Sequence, residues 1–199
     1  MTAGPTLHTL SGQDPAPNPL SQSALILIDC QNTYREGVMR LDGVEPALEQ
    51  AQALLDRARR LGTPIIHIQH DAGQGSPYDI TTEIGAIADP VAPQGSEPVV
   101  VKNYPSSFEK TDLDERLKAL GVEKLVLAGF MTHMCVNSTA RAAFNNGYGV
   151  TVVAGATATR ALPNPLGGDV SSADVHASAL AAIGDLFGVV VRSEGDVPD

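Results

Sequence analysis

The sequence predicts an α/β fold, a three-layer α-β-α sandwich around a central six-stranded parallel sheet. Six short apolar runs lack the polar alternation that a half-exposed sheet shows, so both faces of each strand are expected to be buried. Segments with helical periodicity separate most of these runs, and strands that alternate with helices are typical of a parallel sheet. The chain has 199 residues, of which 43% are hydrophobic and 18% charged, which suits one globular domain.

The first half of the predicted domain holds three strands and one helix. Residues 24–29 are predicted as a buried strand because apolar residues follow one another up to Asp29. Residues 44–61 place their apolar side chains on one helical face, and residues 64–69 and 98–102 are the next two strands. The loop over residues 70–97 is rich in Gly, Pro and Asp and has room for a short helix.

The second half supplies the remaining elements. A helix over residues 112–120 ends at Gly121, and a helix over residues 135–146 ends at Gly147. The strand 124–129 lies between them, and the strand 150–154, the helix 171–187 and the strand 188–191 follow. Residues 23–192 form the predicted domain. Residues 1–22 are expected to be a flexible leader or an arm on a neighbouring subunit, and residues 193–199 a C-terminal tail.

Composition excludes several classes of protein. A net charge of -10 argues against sequence-independent binding to nucleic acid, which requires a basic face. The apolar runs are too short to cross a membrane, and residues 1–22 contain no Lys or Arg, unlike a secretory signal. Two cysteines fit a reducing compartment. We therefore expect a cytoplasmic protein that acts on a small molecule, with neither nucleic acid nor membrane as its partner.

Three predicted strands end in residues that can carry chemistry. Ligands of parallel α/β sheets bind beyond the carboxyl ends of the strands, where Asp29 and Lys102 lie and where Cys135 follows a third strand. Each residue alone has an ordinary explanation: Asp29 as a turn cap, Lys102 as a solvent-seeking cation and Cys135 as a buried apolar side chain. Together they supply the base, the cation and the nucleophile of cysteine-mediated acyl transfer.

Cys135 has a further property because a helix is predicted to begin at it. The positive end of a helix dipole favours a thiolate, so we expect the Cys135 thiol to have a lowered pKa. Free backbone N–H groups in the first turn of a helix can also stabilise a developing oxyanion. Cys30 follows Asp29 directly and, because strand side chains alternate, is expected to face away into the core.

Three motifs together resemble the isochorismatase-like hydrolase superfamily. They are Leu-Ile-Asp-Cys-Gln-Asn at residues 27–32, Val-Lys at 101–102 with Ser107-Phe108 and Thr-Asp-Leu at 111–113, and Gly-Phe-Met-Thr-His-Met-Cys-Val-Asn-Ser-Thr-Ala-Arg at 129–141. The resemblance covers about residues 23 to 192. It implies the Rossmann-like fold of that superfamily, a homo-oligomer (dimer or higher), and a hydrolase of its cysteine amidohydrolase branch without a cofactor.

The resemblance also assigns roles to residues. It implies a catalytic triad of Asp29, Lys102 and Cys135, and a cis peptide bond between Phe130 and Met131. The oxyanion hole is then formed by the backbone N–H groups of Met131 and Cys135. Four residues that lie just beyond the catalytic strand ends are candidates for contact with substrate, and for each of them surface or subunit-interface packing is an equally good explanation. They are Gln31, Tyr34, Tyr104 and Phe108. His70, at the carboxyl end of the second strand, and Thr132, in the turn before the nucleophile, are also candidates.

A metal site receives little support from the sequence. His67, His70 and Asp71 form a His-x-x-His-Asp pattern, but the following loop has no further His, and catalytic zinc sites use about three protein ligands. Nicotinamidases, a metal-binding branch of the superfamily, have an Asp-x-His pattern that is absent here. The sequence therefore predicts no metal.

Three functions remain open. The first is hydrolysis of a C–N bond in a small amide, carbamoyl or lactam-type substrate through a thioester intermediate. The second is isochorismatase activity, which cleaves an enol ether to pyruvate and the precursor of 2,3-dihydroxybenzoate, and which needs an acid but no thiol. The third is a catalytically idle binding or assembly protein of the same fold. The presence of Cys135 favours the first.

Overall fold

A computed structural model describes residues 3–199 and confirms the predicted six-stranded parallel sheet. The strands lie in the order β3-β2-β1-β4-β5-β8, and β6 and β7 pair in a separate antiparallel hairpin. Their bounds are β1 Ala24–Ile28, β2 Ile65–His70, β3 Val99–Lys102, β4 Lys124–Phe130, β5 Gly149–Ala158, β6 Leu162–Pro163, β7 Asp169–Val170 and β8 Val189–Val191.

Helices cover both faces of this sheet. They are α1 Leu7–Leu10, α2 Val44–Leu61, α3 Leu113–Ala119, α4 Asn137–Asn145 and α5 Ser172–Ala182. Side chains of β1 alternate between two apolar cores: Leu25 and Leu27 pack with α2, and Ile26 and Ile28 pack with α3 and α4. This division between two cores confirms the three-layer architecture.

Several elements differ from the prediction. β5 continues to Ala158, so most of the segment 155–159, which the sequence placed after the strand, belongs to it. The cause is an irregularity in pairing: β4 is in register with β5 up to Leu127 and Val152, and pairing resumes at Gly129 and Thr157. The helix predicted from residue 135 begins earlier, with a wide helical turn over Thr132–Val136, and the hairpin of β6 and β7 was not predicted.

The segments outside the predicted domain make contacts with it. In the first, the Leu7 N–H donates a hydrogen bond to Asp185 Oδ1 at 3.1 Å, and the Asn18 N–H donates one to Thr151 Oγ1 at 2.8 Å. In the second, Arg57 donates to the carbonyls of Glu194 and Val197. Within the described part of the chain, no helix has both the length and the apolar character needed to cross a membrane.

Candidate active site

The carboxyl edge of the sheet brings the three strand-end residues together. Asp29 follows β1, Lys102 ends β3, and Cys135 lies in the helical turn that follows β4. β1 and β4 are neighbours, but β2 separates β3 from β1, so the two strands are about 10 Å apart. Only a long side chain can span that distance, and Lys102 extends across the end of β2 to do so.

Lys102 contacts both other members of the predicted triad. Its Nζ lies 2.7 Å from Asp29 Oδ2, and it donates hydrogen bonds to Cys135 Sγ at 3.4 Å and to His70 Nδ1 at 3.2 Å. Neither Asp29 oxygen has a hydrogen-bond partner, so Lys102 holds this carboxylate as a buried ion pair and donates hydrogen bonds to the other two groups. Because His70 accepts at Nδ1, its ring proton must be on Nε2. His70, a predicted substrate contact, therefore helps to hold Lys102 in place.

Burial controls the protonation of the site. Asp29 and Lys102 are almost completely buried and Cys135 is 5% exposed. Burial raises the pKa of Asp29, although Lys102 opposes the shift. Burial, together with the charge of Asp29, also raises the pKa of Cys135 to about 12. The expectation of a lowered thiol pKa was therefore wrong: desolvation and the charge of Asp29 outweigh the charge of Lys102, and the resting thiol keeps its proton.

The backbone around these residues has unusual conformations. Asp29 has a φ of 50°, in the left-handed region that residues with a side chain rarely adopt, and such positions concentrate at functional sites. The Phe130–Met131 peptide bond is cis, at the position that the resemblance implies. The Met131 carbonyl accepts hydrogen bonds from the N–H groups of Met134 and Val136, which hold the turn before and after the thiol.

Gly129 permits the close approach of β4 to β1 directly before this turn. Its φ is 118°, and a Cβ atom there would lie 2.0 Å from the Ile28 carbonyl oxygen. No side chain fits at that distance, so glycine is required at this position. The turn that carries Cys135 is thereby held beside Asp29.

A group of aromatic side chains borders the triad. Tyr34, a predicted substrate contact, is buried and packs edge-on against Tyr78 and Phe130, each at 5.8 Å between ring centroids. Tyr78 also lies edge-on to His70 at 5.1 Å. Burial and the charge of Asp29 raise the pKa of Tyr34, so its hydroxyl stays neutral beside the reacting groups.

The other predicted substrate contacts have different roles. The Gln31 amide donates to the carbonyls of His70 and Gly85 and accepts from the His70 N–H, so no donor remains for a ligand. The hydroxyl of Thr132 is paired with His176 Nδ1 at 3.0 Å. Gln31 thus joins β2 to the turn at Gly85, and Thr132 joins the turn before Cys135 to α5.

Tyr104 and Phe108 have partners outside the triad. Tyr104 is 40% exposed and its hydroxyl accepts a hydrogen bond from Lys110. Phe108 stacks on Tyr148 at 5.9 Å and packs against the core under α3 and α4. These contacts give both side chains a packing role, and their contact with substrate stays a prediction.

The two histidines of the His-x-x-His-Asp pattern are held by different partners. His67 Nε2 pairs with Glu97 Oε2 at 2.9 Å, whereas His70 faces Lys102. Among residues 3–199, no three His, Cys, Asp or Glu side chains are grouped as a metal site.

Four residues of this edge were not among the predicted contacts: Tyr78, His133, Arg160 and His176. His133 Nδ1 is hydrogen-bonded to the hydroxyl of Thr159, and the Thr159 carbonyl accepts a hydrogen bond from the Asp42 N–H beyond the end of β5. Arg160 follows Thr159 directly. The same strand-end argument that found Lys102 would have found Arg160 had the end of β5 been predicted correctly.

Comparisons with known proteins agree on one family. The Isochorismatase domain model matches residues 23–195. The secreted isochorismatase effector Isc1 of Verticillium dahliae is 34% identical, with 95% of this chain and 97% of that protein covered. The maleamate amidohydrolase of Pseudomonas putida is 32% identical, with coverage of 65% and 69% respectively. A crystal structure of an isochorismatase from Pseudomonas putida KT2440 superimposes with a TM-score of 0.94 at 35% identity, covering 98% of this chain and all of that one.

Proposed function

The chain belongs to the isochorismatase family and is a hydrolase, and we propose that it cleaves the C–N bond of a small amide, carbamoyl or lactam-type substrate through a thioester on Cys135. The observation that carries the proposal is the position of Lys102 Nζ, in contact with both Asp29 Oδ2 and Cys135 Sγ in a buried site. A base, a cation and a thiol are thus held against one another where little water enters.

In the first half-reaction, Asp29 takes the proton of the Cys135 thiol as the sulfur attacks the substrate carbonyl. The raised pKa of Asp29 makes it a stronger base than an exposed carboxylate, and the raised thiol pKa means that the proton moves during the attack. The electrons of the carbonyl π bond go to its oxygen, which the N–H groups of Met131 and Cys135 stabilise. The C–N bond then breaks, and Asp29 returns the proton to the leaving nitrogen.

In the second half-reaction, water hydrolyses the thioester. Asp29 takes a proton from the water molecule as its oxygen attacks the acyl carbon, and the C–S bond breaks to release a carboxylic acid. The proton held by Asp29 then restores the Cys135 thiol. Lys102 remains an ammonium throughout and compensates the negative charge that alternates between Asp29 and Cys135. Atoms and protons balance with one water consumed for each C–N bond cleaved.

His70 supports this arrangement through its neutral form. Burial and the charge of Lys102 lower the pKa of His70 to about 4, so the neutral ring accepts a hydrogen bond from Lys102 at Nδ1 throughout the neutral pH range. A protonated ring would repel Lys102. We therefore assign His70 as a positioning residue for the cation.

A second candidate is isochorismatase activity, which two similar proteins favour by name. Isc1 is described as a secreted isochorismatase effector, and the superimposed crystal structure is that of an isochorismatase. Cleavage of an enol ether requires an acid such as Asp29 but no thiol nucleophile. The maleamate amidohydrolase supports the amide alternative by its name, and Cys135 gives that chemistry a nucleophile.

Mass spectrometry of the intact protein separates these candidates. The wild type is mixed with a panel of small amides and quenched in acid, and an acyl adduct that maps to Cys135 is expected. Cys135→Ala should abolish both the adduct and amide turnover, whereas isochorismate cleavage would survive this substitution.

The other cysteine provides a matched control. Cys30 is buried behind Asp29 in the core under α2, so Cys30→Ala should retain both adduct and turnover. Full amide turnover by Cys135→Ala would refute the proposal. A protein that neither forms an adduct with any amide nor cleaves isochorismate would instead match the idle binding protein.

A further inference from the structure

Strand β3 forms one edge of the sheet, and one of its faces is open to solvent. Val99 and Val101 are 38% and 44% exposed, whereas Val100 between them belongs to the core under α3 and α4. The strand at the other edge, β8, differs, because Val189 packs against the core under α2 and Val190 against the core under α3 and α4. Among residues 3–199, no strand pairs with the outer edge of β3.

The outer edge of β3 also carries backbone groups without partners. The carbonyls of Pro98 and Lys102 both accept hydrogen bonds from N–H groups of β2 or of the residue that follows it. Backbone groups alternate in direction along a strand, so the N–H and C=O groups of Val99 and Val101 point away from β2. Within the described part of the chain, these groups make no hydrogen bond to any turn, loop or side chain. A row of free N–H and C=O groups beside exposed valines is matched by another strand.

The features that normally protect an edge strand are missing from β3. Proteins block edge pairing with charged side chains, with Pro or with a bulge in the strand. The one charged residue of β3, Lys102, points inward to Asp29. The segment 94–106 contains one Glu and one Lys, although the chain has a net charge of -10. A second copy of this acidic chain therefore meets little charge repulsion at this edge.

We propose that two copies of the chain pair through β3 as antiparallel strands, related by a two-fold axis at Val100. In this register Val99 of each copy lies opposite Val101 of the other, and each such pair exchanges both of its N–H···O hydrogen bonds. The valines of both copies then cover one another on the α2 side of one continuous sheet. Glu97 lies opposite Asn103, so no like charges face each other. The edge is thus self-complementary, as a two-fold interface requires.

The first test is the mass of the protein in solution. Size-exclusion chromatography with light scattering at about 100 µM should show the wild type as a dimer or an even multiple of it, since a short strand pair gives a small interface that dissociates on dilution. Val101→Lys places a charge on the paired edge, and Val101→Pro removes an N–H that has no partner within the chain, so each should halve the mass. Val38→Lys is the matched control, because Val38 is 86% exposed in the turn between β1 and α2, and it should keep the wild-type mass.

The second test measures the register. In the proposed pair the Cα atoms of the two copies of residue 100 lie about 4.5 Å apart, within the range that a disulfide spans. The two copies of residue 101 are diagonal neighbours with Cβ atoms about 7–8 Å apart, which is too far. Both native cysteines are buried. Oxidation should therefore cross-link Val100→Cys into a covalent dimer and leave Val101→Cys as single chains on a non-reducing gel.

Several outcomes would overturn the proposal. A wild type that is monomeric at about 100 µM contradicts it, since even weak pairing through an edge is populated at that concentration. An assembly whose mass survives both Val101→Lys and Val101→Pro is held by another surface. Val100→Cys protein that stays uncross-linked excludes the register. Far-UV circular dichroism identifies a variant that fails to fold, and in that case the wild-type mass and the cross-linking decide.

Discussion

Replacement of Lys102 by Met isolates the contribution of the buried ion pair. Met has nearly the same length and volume but no charge, so Asp29 loses the cation at 2.7 Å while the packing is kept. Neither side chain is exposed to solvent, so water cannot replace the lost partner. We expect Lys102→Met to unfold more easily and to lose amide turnover, since both effects follow from an unpaired carboxylate.

The magnitude follows from the burial of both groups. Removal of one partner of a buried ion pair costs about 3–5 kcal/mol, whereas replacement of both partners by neutral groups is often nearly neutral. Asp29→Asn with Lys102→Met should therefore recover at least about 2 kcal/mol of the loss. With a urea m value of about 2 kcal/mol per molar, Lys102→Met lowers the unfolding midpoint by about 1.5–2.5 M.

The pH dependence of Lys102→Met has a defined sign. The pKa of Asp29 is already raised by burial, and loss of the cation that opposes this shift raises it further. A carboxyl group whose pKa is higher in the folded than in the unfolded protein stabilises the fold at low pH, and that stability is lost as pH rises through the folded-state value. The free energy of unfolding that Lys102→Met loses relative to the wild type should thus be larger at about pH 8 than at about pH 5.

Urea denaturation followed by circular dichroism at one protein concentration gives these values. The matched control is Lys118→Met, which removes a lysine whose side chain is 68% exposed and which pairs with Asp114 one helical turn away. That change should leave the unfolding midpoint nearly unchanged, because exposed ion pairs contribute little to stability. A loss below about 1 kcal/mol for Lys102→Met, or a double variant that shows the sum of the two single losses, would refute the assignment of a coupled buried pair.

Three further predictions concern the close approach at Gly129 and the shifted pKa values of Glu97 and Cys135. Gly129→Ala should prevent folding or cost more than about 3 kcal/mol in chemical denaturation, because the added Cβ would overlap a carbonyl oxygen. Gly147→Ala, at a position of positive φ with open space around it, should cost only about 1–2 kcal/mol. Similar losses of stability in the two variants would contradict the clash at Gly129. Hydrogen bonding by Arg59 lowers the pKa of Glu97 to about 2, so Glu97 stabilises the fold above its ordinary value of about 4.5 and this contribution disappears as pH falls toward 2. Glu97→Gln should remove this dependence of the melting temperature on pH. A melting temperature that depends on pH as it does in the wild type would show that other groups cause the effect. In a Cys30→Ala background, alkylation of Cys135 by iodoacetamide should accelerate about tenfold per pH unit from pH 7 to 10. A rate that reaches a plateau near pH 8 would contradict the raised pKa of Cys135, about 12.

Much of the fold was predictable because its signals are local. The helix Val44–Leu61 has the predicted bounds, since its apolar periodicity ends at a glycine in the left-handed conformation. The six strands of the sheet were each visible as an apolar run. The expectation that both faces are buried was wrong for the edge strand β3, in which Val99 and Val101 are 38% and 44% exposed. The end of β5 was not visible: Gly155 and Thr157 look like a loop, and only pairing with β4 beyond the irregularity keeps them in the strand.

The sequence by itself determined which residue types stand at the strand ends, and hence that Asp29, Lys102 and Cys135 would share one edge of the sheet. The tertiary structure decided their protonation, since desolvation depends on all the atoms packed around the thiol and not on its place in a helix. It also decided that Gln31 joins β2 to the turn at Gly85, that Tyr104 binds Lys110 and Phe108 stacks on Tyr148, and that Arg160 Nε is buried without a hydrogen-bond partner among the described residues. These properties depend on contacts between residues far apart in the chain, whereas strands and helices are already encoded within a few consecutive residues.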